Sequence, residues 1–171
     1  LTRLGLSGAP IGAPIDQAVK LWLLFSFDLG SRGIVHLTPF LDFVLTWNTG
    51  ISYGLFPQES DFGRLVLLAL KVGAVVLLWI WLARAESKLT ALGLGLIIGG
   101  AVGNTIDRLA YSHWYDSAPP GAVMDFVLFH ITTPTFNFVW YVFNLADAAI
   151  VAGVIGLLYE SVLGVRAAKA P

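Results

Sequence analysis

Three long apolar stretches set the plan of this chain. Leu65 to Leu82 is broken only by Lys71, Leu89 to Ile106 carries no charge, and Phe138 to Tyr159 carries only Asp147. A helix that crosses a hydrocarbon core about 30 Å thick, at about 1.5 Å per residue, needs about 20 mostly apolar residues. Each stretch is therefore predicted to be a membrane-spanning helix. A fourth candidate, Ile11 to Leu29, ends in Leu21-Trp22-Leu23-Leu24-Phe25 but is interrupted by Asp16, Gln17 and Lys20. A cleaved signal peptide is the competing reading. Its polar residues would precede the apolar run, and a small-residue cleavage site would follow it; neither holds here, so a helix is expected. The chain opens on leucine, and native residues ahead of it are expected.

Lysine and arginine orient this bundle, because they collect on the cytoplasmic side. Arg84 and Lys88 sit in the short turn between the second and third stretches, Arg166 and Lys169 follow the fourth, and Arg3 lies near the start. The long connections, near 30–63 and 109–137, hold only Arg32 well clear of a helix end and instead carry Asp42, Glu59, Asp61, Asp116 and Asp125. Both chain ends and the short turn are thus expected inside, and the two long connections outside. In the first connection an aromatic-rich run, Phe40 to Trp47, meets Asn48-Thr49-Gly50 and continues through Ile51, Tyr53, Leu55 and Phe56, which reads as a hairpin. In the second, Val123 to Phe129 reads as a short strand after Pro119-Pro120-Gly121. The expected fold is an all-α membrane protein, with four transmembrane helices (11–29, 65–82, 89–108 and 138–159). A small outer β-sheet is placed between the first two, at about 34–57, with an outer loop at 109–137 and an inner tail at 160–171.

Composition narrows the chemistry. Of 171 residues, 57% are hydrophobic and 12% charged, with 18 glycines in addition. A soluble domain has about 25% charged residues, so lipid is the solvent for most of this chain. A net charge of −1 and a pI near 6.3 give no basic footprint for nucleic acid. Cysteine is absent, which removes disulfides, thiolate nucleophiles and thiolate metal ligands. His36, His113 and His130 are far apart without HExxH spacing, and no GxSxG elbow or phosphate-binding glycine loop occurs. No cofactor or metal is expected.

What stands out is polar chemistry at membrane depth, where an ionisable group costs about 2.5–3.5 kcal/mol. Gly95, Gly99 and Gly103 are four apart and predict close helix packing. They lead into Asn104, Asp107 and Arg108, at i, i+3 and i+4 on one face. Adjacent Asp107 and Arg108 are expected to neutralise one another as structure. Asn144 and Asp147 share a face of the last helix, and Asp147 has no cation in its own segment. It either finds a partner across the bundle or is a neutral acid bonded to backbone. Asp125, in Val123-Met124-Asp125-Phe126, is a candidate partner, with Asp107 and Asp16 as rivals. Two carboxyls within a few ångströms share a proton, as aspartic-peptidase chemistry needs. The competing class is a small proton-coupled carrier relaying through Asp147 and Asp107. Lys71 is expected to snorkel outward or line the bundle.

Five blocks in order carry a resemblance: Asp16-Gln17-x-x-Lys20, Asn48-Thr49-Gly50-Ile51-Ser52-Tyr53-Gly54, the stretch from Gly99-Gly100 through Gly103-Asn104 to Asp107-Arg108, Val123-Met124-Asp125-Phe126, and Phe143-Asn144-Leu145-Ala146-Asp147. With these blocks the chain resembles the signal peptidase II (lipoprotein signal peptidase) family of the bacterial cytoplasmic membrane. The resemblance implies an intramembrane aspartic endopeptidase. Such enzymes cut the signal peptide from prolipoproteins just before a diacylglyceryl-modified cysteine. It implies Asp125 and Asp147 as the catalytic pair, with Asn48, Gly50, Asn104, Arg108 and Asn144 on the substrate-binding face. Asp16 and Asp107 would support them, Asp107 as the structural partner of arginine. It implies a monomer with both termini cytoplasmic and its site near the periplasmic face, surrounded by phospholipid and open to globomycin-like inhibitors. The NTGISYG hairpin and the longer stretch Leu109 to Ala122 depart from the family's usual pattern and bear on substrate preference.

Overall fold

The computed structural model describes residues 2–50 and 61–168. In chain order they form α1 (Thr2–Leu21), a π-helical turn (Trp22–Ser26), the short α2 (Leu29–Arg32), β1 (Val35–Thr38), β2 (Leu41–Asn48), α3 (Asp61–Ala83), α4 (Lys88–Trp114), β3 (Val123–Thr132), β4 (Asn137–Val139) and α5 (Leu145–Ala168). They gather into two compact units, one made of residues 1–15, 69–103 and 145–171, the other of residues 16–68 and 104–144.

The first unit is helical. Leu82, Ala91, Leu94 and Ile98 form its core, with Val75, Leu78 and Leu157 packed against them. Glycine lets α4 and α5 approach backbone to backbone. A Cβ added to Gly93 would lie 2.9 Å from the Gly153 carbonyl, and one added to Gly100 would run into the Ala146 carbonyl. The close approach to α5 thus runs through Gly93 and Gly100, while Gly95, Gly99 and Gly103 are also buried. Among the described residues two helices, Lys88–Trp114 and Leu145–Val162, are long and apolar enough to cross a membrane, and Leu68–Ala83 is a shorter apolar helix. Only 11% of the α5 span is buried in protein, and on α3 Leu70, Leu77 and Trp81 are exposed. Apolar helix surface left uncovered at this scale is surface for lipid.

The second unit holds a four-stranded antiparallel sheet in the order β1-β2-β3-β4. Thr38 closes the β1–β2 turn, its Oγ1 accepting from the Phe40 and Leu41 amides at 3.2 and 3.0 Å. β2 pairs along β3 from Leu41↔Phe129 to Asn48↔Val123, with a register shift between Phe43 and Thr46. Leu23, Leu24, Leu29, Tyr111, Met124 and Phe126 form the core beneath. The sheet therefore draws two strands from each long connection, rather than lying between the first two helices alone. Residues 41–48 find their partners in β1 and β3, and the expected second arm of their hairpin, 51–56, lies outside the described residues. The β2–β3 pairing joins segments about eighty residues apart, so no local turn announces it.

Two helix boundaries also differ from expectation. α1 stops at Leu21 and passes into a π turn closed by Phe27 N–H donating to Trp22 O at 2.8 Å. Residues 137–143 are extended, not helical: Trp140 N–H donates to Phe129 O, and Phe143 exchanges hydrogen bonds with Val127. Phe138-Val139-Trp140-Tyr141-Val142-Phe143 is apolar enough for a helix, but its aromatic and β-branched residues suit the open edge of β3 equally well.

Candidate active site

The second unit concentrates buried polar groups. Asp16, Lys20, Asn104, Asp107, Arg108, Asp125 and Asn144 are all buried there, together with Asp42. Asp125 stands on β3 opposite Thr46. Its two carboxylate oxygens accept from different amides, Asn144 Nδ2 at 2.7 Å and Asn48 Nδ2 at 3.1 Å. Asn144 also faces Asn104 Oδ1 at 3.1 Å and the Met124 carbonyl at 3.3 Å, so one side-chain amide ties α4, β3 and the segment before α5 together. Asn48 is oriented in turn because its Oδ1 accepts from the Gly50 amide at 3.0 Å. A cavity of about 260 Å³ opens onto Asp125 between Thr46, Trp47, Asn48, Thr49 and Tyr141. A carboxylate at the wall of a partly apolar cavity, fixed by neutral amides, is equipped to exchange a proton with a molecule held there.

A second network anchors this strand. Lys20 is wholly buried, with Nζ 2.7 Å from both Asp16 and Asp107. Asp107 accepts further hydrogen bonds from Gln17 Nε2 at 2.6 Å and from the Met124 amide at 3.0 Å, one residue before Asp125. Tyr111 completes the group by donating to Gln17 Oε1 at 3.1 Å. The expected Asp107–Arg108 pair is thus replaced. Neighbours on a helix point about 100° apart, so Asp107 turns to Lys20 while Arg108 donates to the backbone carbonyls of Gly121, at 2.5 Å, and Gly50. Arginine here ties two loops together through their backbone carbonyls.

Asp125, Asn48, Gly50, Asn104, Arg108, Asn144, Asp16 and Asp107 are therefore assembled in one unit. Asp147 belongs to the other unit, half-buried in the first turn of α5 and three residues beyond Asn144. The Lys71 side chain lies outside the described residues. Lys20, Gln17, Thr46, Tyr111 and Tyr141 were not singled out from sequence as site residues. The i, i+4 spacing of Asp16 and Lys20 is the one local signal that could have found a pairing among them. A separate cluster occupies the sheet: Asp42 takes His36 Nδ1 at 2.8 Å in an aligned hydrogen bond and His130 Nε2 at 3.1 Å as an ion-pair contact. Burial pushes the Asp42 carboxyl up, but the two imidazoles, His36 ahead of His130, outweigh it and hold it below the usual carboxylate value.

Comparison with known proteins converges on one family. The profile described as signal peptidase (SPase) II matches residues 10–163. The lipoprotein signal peptidase of Nitrobacter hamburgensis is 59% identical over 99% of this chain and 98% of its own length. That of Rhodopseudomonas palustris strain TIE-1 is 53% identical over the same shares. A solved bacterial membrane enzyme, determined by the in meso method at 2.3 Å resolution, superposes with a TM-score of 0.69 at 22% identity, covering 97% of this chain and 91% of that one. The latter likeness shows the fold alone.

Proposed function

The chain belongs to the signal peptidase II family, and from that premise we propose that it hydrolyses prolipoproteins as an aspartic endopeptidase working within the membrane, with Asp125 and Asp147 as its acid–base pair. Removal of signal peptides from prolipoproteins is the family's activity, and the proton-coupled carrier weighed from the sequence is set aside with it. The observation that carries the aspartic reading is Asp125 itself. It is a buried carboxylate on a strand, held through both oxygens by Asn48 and Asn144 and open to the cavity. Asp147 follows Asn144 by three residues, so the chain that positions one acid leads directly to the other.

In this mechanism one carboxylate takes a proton from water as the oxygen attacks the scissile carbonyl carbon, while the other, protonated, donates to the carbonyl oxygen. The resulting diol collapses: the C–N bond breaks, the leaving nitrogen receives a proton, and the new carboxylic acid remains on the signal peptide. Asn48, Asn104 and Asn144 supply neutral polar contacts that do not compete for that proton. Arg108 holds the Gly50 and Gly121 backbones, and Gly50 borders the substrate path. Asp16 and Asp107 support the fold through Lys20. The substrate is a signal helix entering from lipid and cut before a diacylglyceryl cysteine, and a globomycin-like cyclic peptide would compete for the same cavity. The reading places a monomer with four spans in the bacterial inner membrane, its termini cytoplasmic and its sheet periplasmic, among phospholipids.

The test is a gel-shift assay on a lipidated precursor with purified Asp125→Asn and Asp147→Asn proteins. Each is expected to insert in the membrane and lose cleavage by at least a hundredfold. Asp107→Asn, the control, is expected to lose stability more than activity per folded molecule. Wild-type cleavage by either of the first two variants removes that residue from the pair.

A further inference from the structure

The helical unit carries a second cleft with chemistry of its own. It measures about 430 Å³ and lies between Trp81 of α3, Thr90 of α4 and Leu157, Leu158, Glu160 and Ser161 of α5. Its walls are apolar except for the hydroxyls of Thr90 and Ser161 and one half-buried carboxylate, Glu160. Glu160 accepts from Thr90 Oγ1 at 2.9 Å and from the hydroxyl of Ser87, whose Oγ also accepts from the Thr90 amide. Among the described residues no lysine, arginine or histidine lies within ion-pair distance of Glu160. Two hydroxyls orient the carboxylate and favour its ionised form, and among the described residues no cation meets it.

The surroundings specify the cation. Trp81 and Leu158 are 51% and 62% exposed, so an occupant that covers them must bring apolar chains. Arg84 lies one helical turn beyond Trp81 and Lys88 two residues before Thr90, both exposed, so an anion beside the cation is also favoured. A zwitterion on acyl chains fulfils all three conditions. We propose that this cleft binds a phospholipid with a primary-ammonium headgroup, its ammonium donating to Glu160, its phosphate toward Arg84 and Lys88, and its chains along Trp81 and Leu158. A quaternary headgroup has no N–H to donate and is bulkier, so it is the disfavoured relative.

The experiment reads Trp81 directly. The full chain is reconstituted in phosphatidylcholine vesicles containing brominated-acyl lipids. The contribution of Trp81 to fluorescence quenching is taken as the difference between wild type and Trp81→Phe. Brominated phosphatidylethanolamine is expected to reach half-quenching at a mole fraction at least threefold lower than brominated phosphatidylcholine, and Glu160→Gln to erase that preference. On unmodified protein, successive N-methylation of the headgroup is expected to weaken quenching stepwise, which decides the matter should Glu160→Gln fail to insert. Equal quenching by the two lipids, preference retained in Glu160→Gln, or strongest quenching by anionic phosphatidylglycerol would each overturn the assignment.

Discussion

Replacing Lys20 by methionine removes the ammonium that two buried carboxylates share. The magnitude follows from the geometry. Nζ lies 2.7 Å from Asp16 and 2.7 Å from Asp107, with no exposure on any partner except the 1% of Asp107. At an effective dielectric of about 20, each contact is worth about 6 kcal/mol of gross attraction. Most of that offsets the desolvation of three charges, so the intact triad contributes little net stability. Methionine fills similar volume yet leaves both acids buried without their cation, which costs about 3–5 kcal/mol, or more than two orders of magnitude in the folding equilibrium. The assay is unfolding of the full chain in mixed micelles, titrated with denaturing detergent and followed by tryptophan fluorescence. The triple variant Asp16→Asn, Lys20→Met, Asp107→Asn is expected to recover at least half of the loss, because it removes the stranded charge together with its partner. A single variant within about 0.5 kcal/mol of wild type, a change typical of a plain surface substitution, would refute the reasoning, as would a triple variant no better than the single.

Three further outcomes can be read in the same apparatus. Gly100→Ala is expected to destabilise by about 1–3 kcal/mol, since its Cβ would meet the Ala146 carbonyl and Ile150 across the α4–α5 contact. Gly73→Ala on α3, where nothing lies within 4 Å of the added Cβ, is expected to stabilise by about 0.5–1 kcal/mol; opposite signs for the two are the check. Asp42 predicts a pH dependence. Its carboxyl titrates below the ordinary 3.8 in the folded protein, so its stabilising contribution is complete above about pH 4 and is lost as pH falls through the folded value. Thermal midpoints of wild type are therefore expected to fall more steeply below about pH 4 than those of Asp42→Asn, and parallel slopes would exclude this role.

What the sequence made legible, and what it hid, divides along the range of the interaction. The apolar stretches are local signals of period 3.6, and they located helices; the i, i+4 spacing of Asp16 and Lys20 was there to be read as a pair but was not. Asn104, Asp125 and Asn144 were identifiable as polar groups out of place, Asn48 only through its motif, and the fold assembles all four within hydrogen-bond reach. The sheet was only half visible because β2 and β3 meet from separate connections, and exposed β1 is four residues long without a buried face. Asp107 was misassigned for a geometric reason. Adjacency in sequence suggested Arg108, but helical rotation separates adjacent side chains and hands each to a different partner.

That exchange of partners also separates stability from chemistry in the polar core. Asp107 reaches the Met124 amide, so the Lys20 network acts on the backbone one residue before Asp125 rather than on its carboxylate. Asn48 and Asn144 act on the carboxylate directly. Losses in the first layer should therefore unfold or shift β3 as a unit, moving Thr46 and the cavity wall with it. Losses in the second should leave β3 in place and change how the Asp125 carboxylate is aimed. Charged groups stabilise poorly when buried, yet a triad that fixes a strand by a single backbone hydrogen bond sets where that strand lies. The neutral amides are then left to set how its acid is aimed.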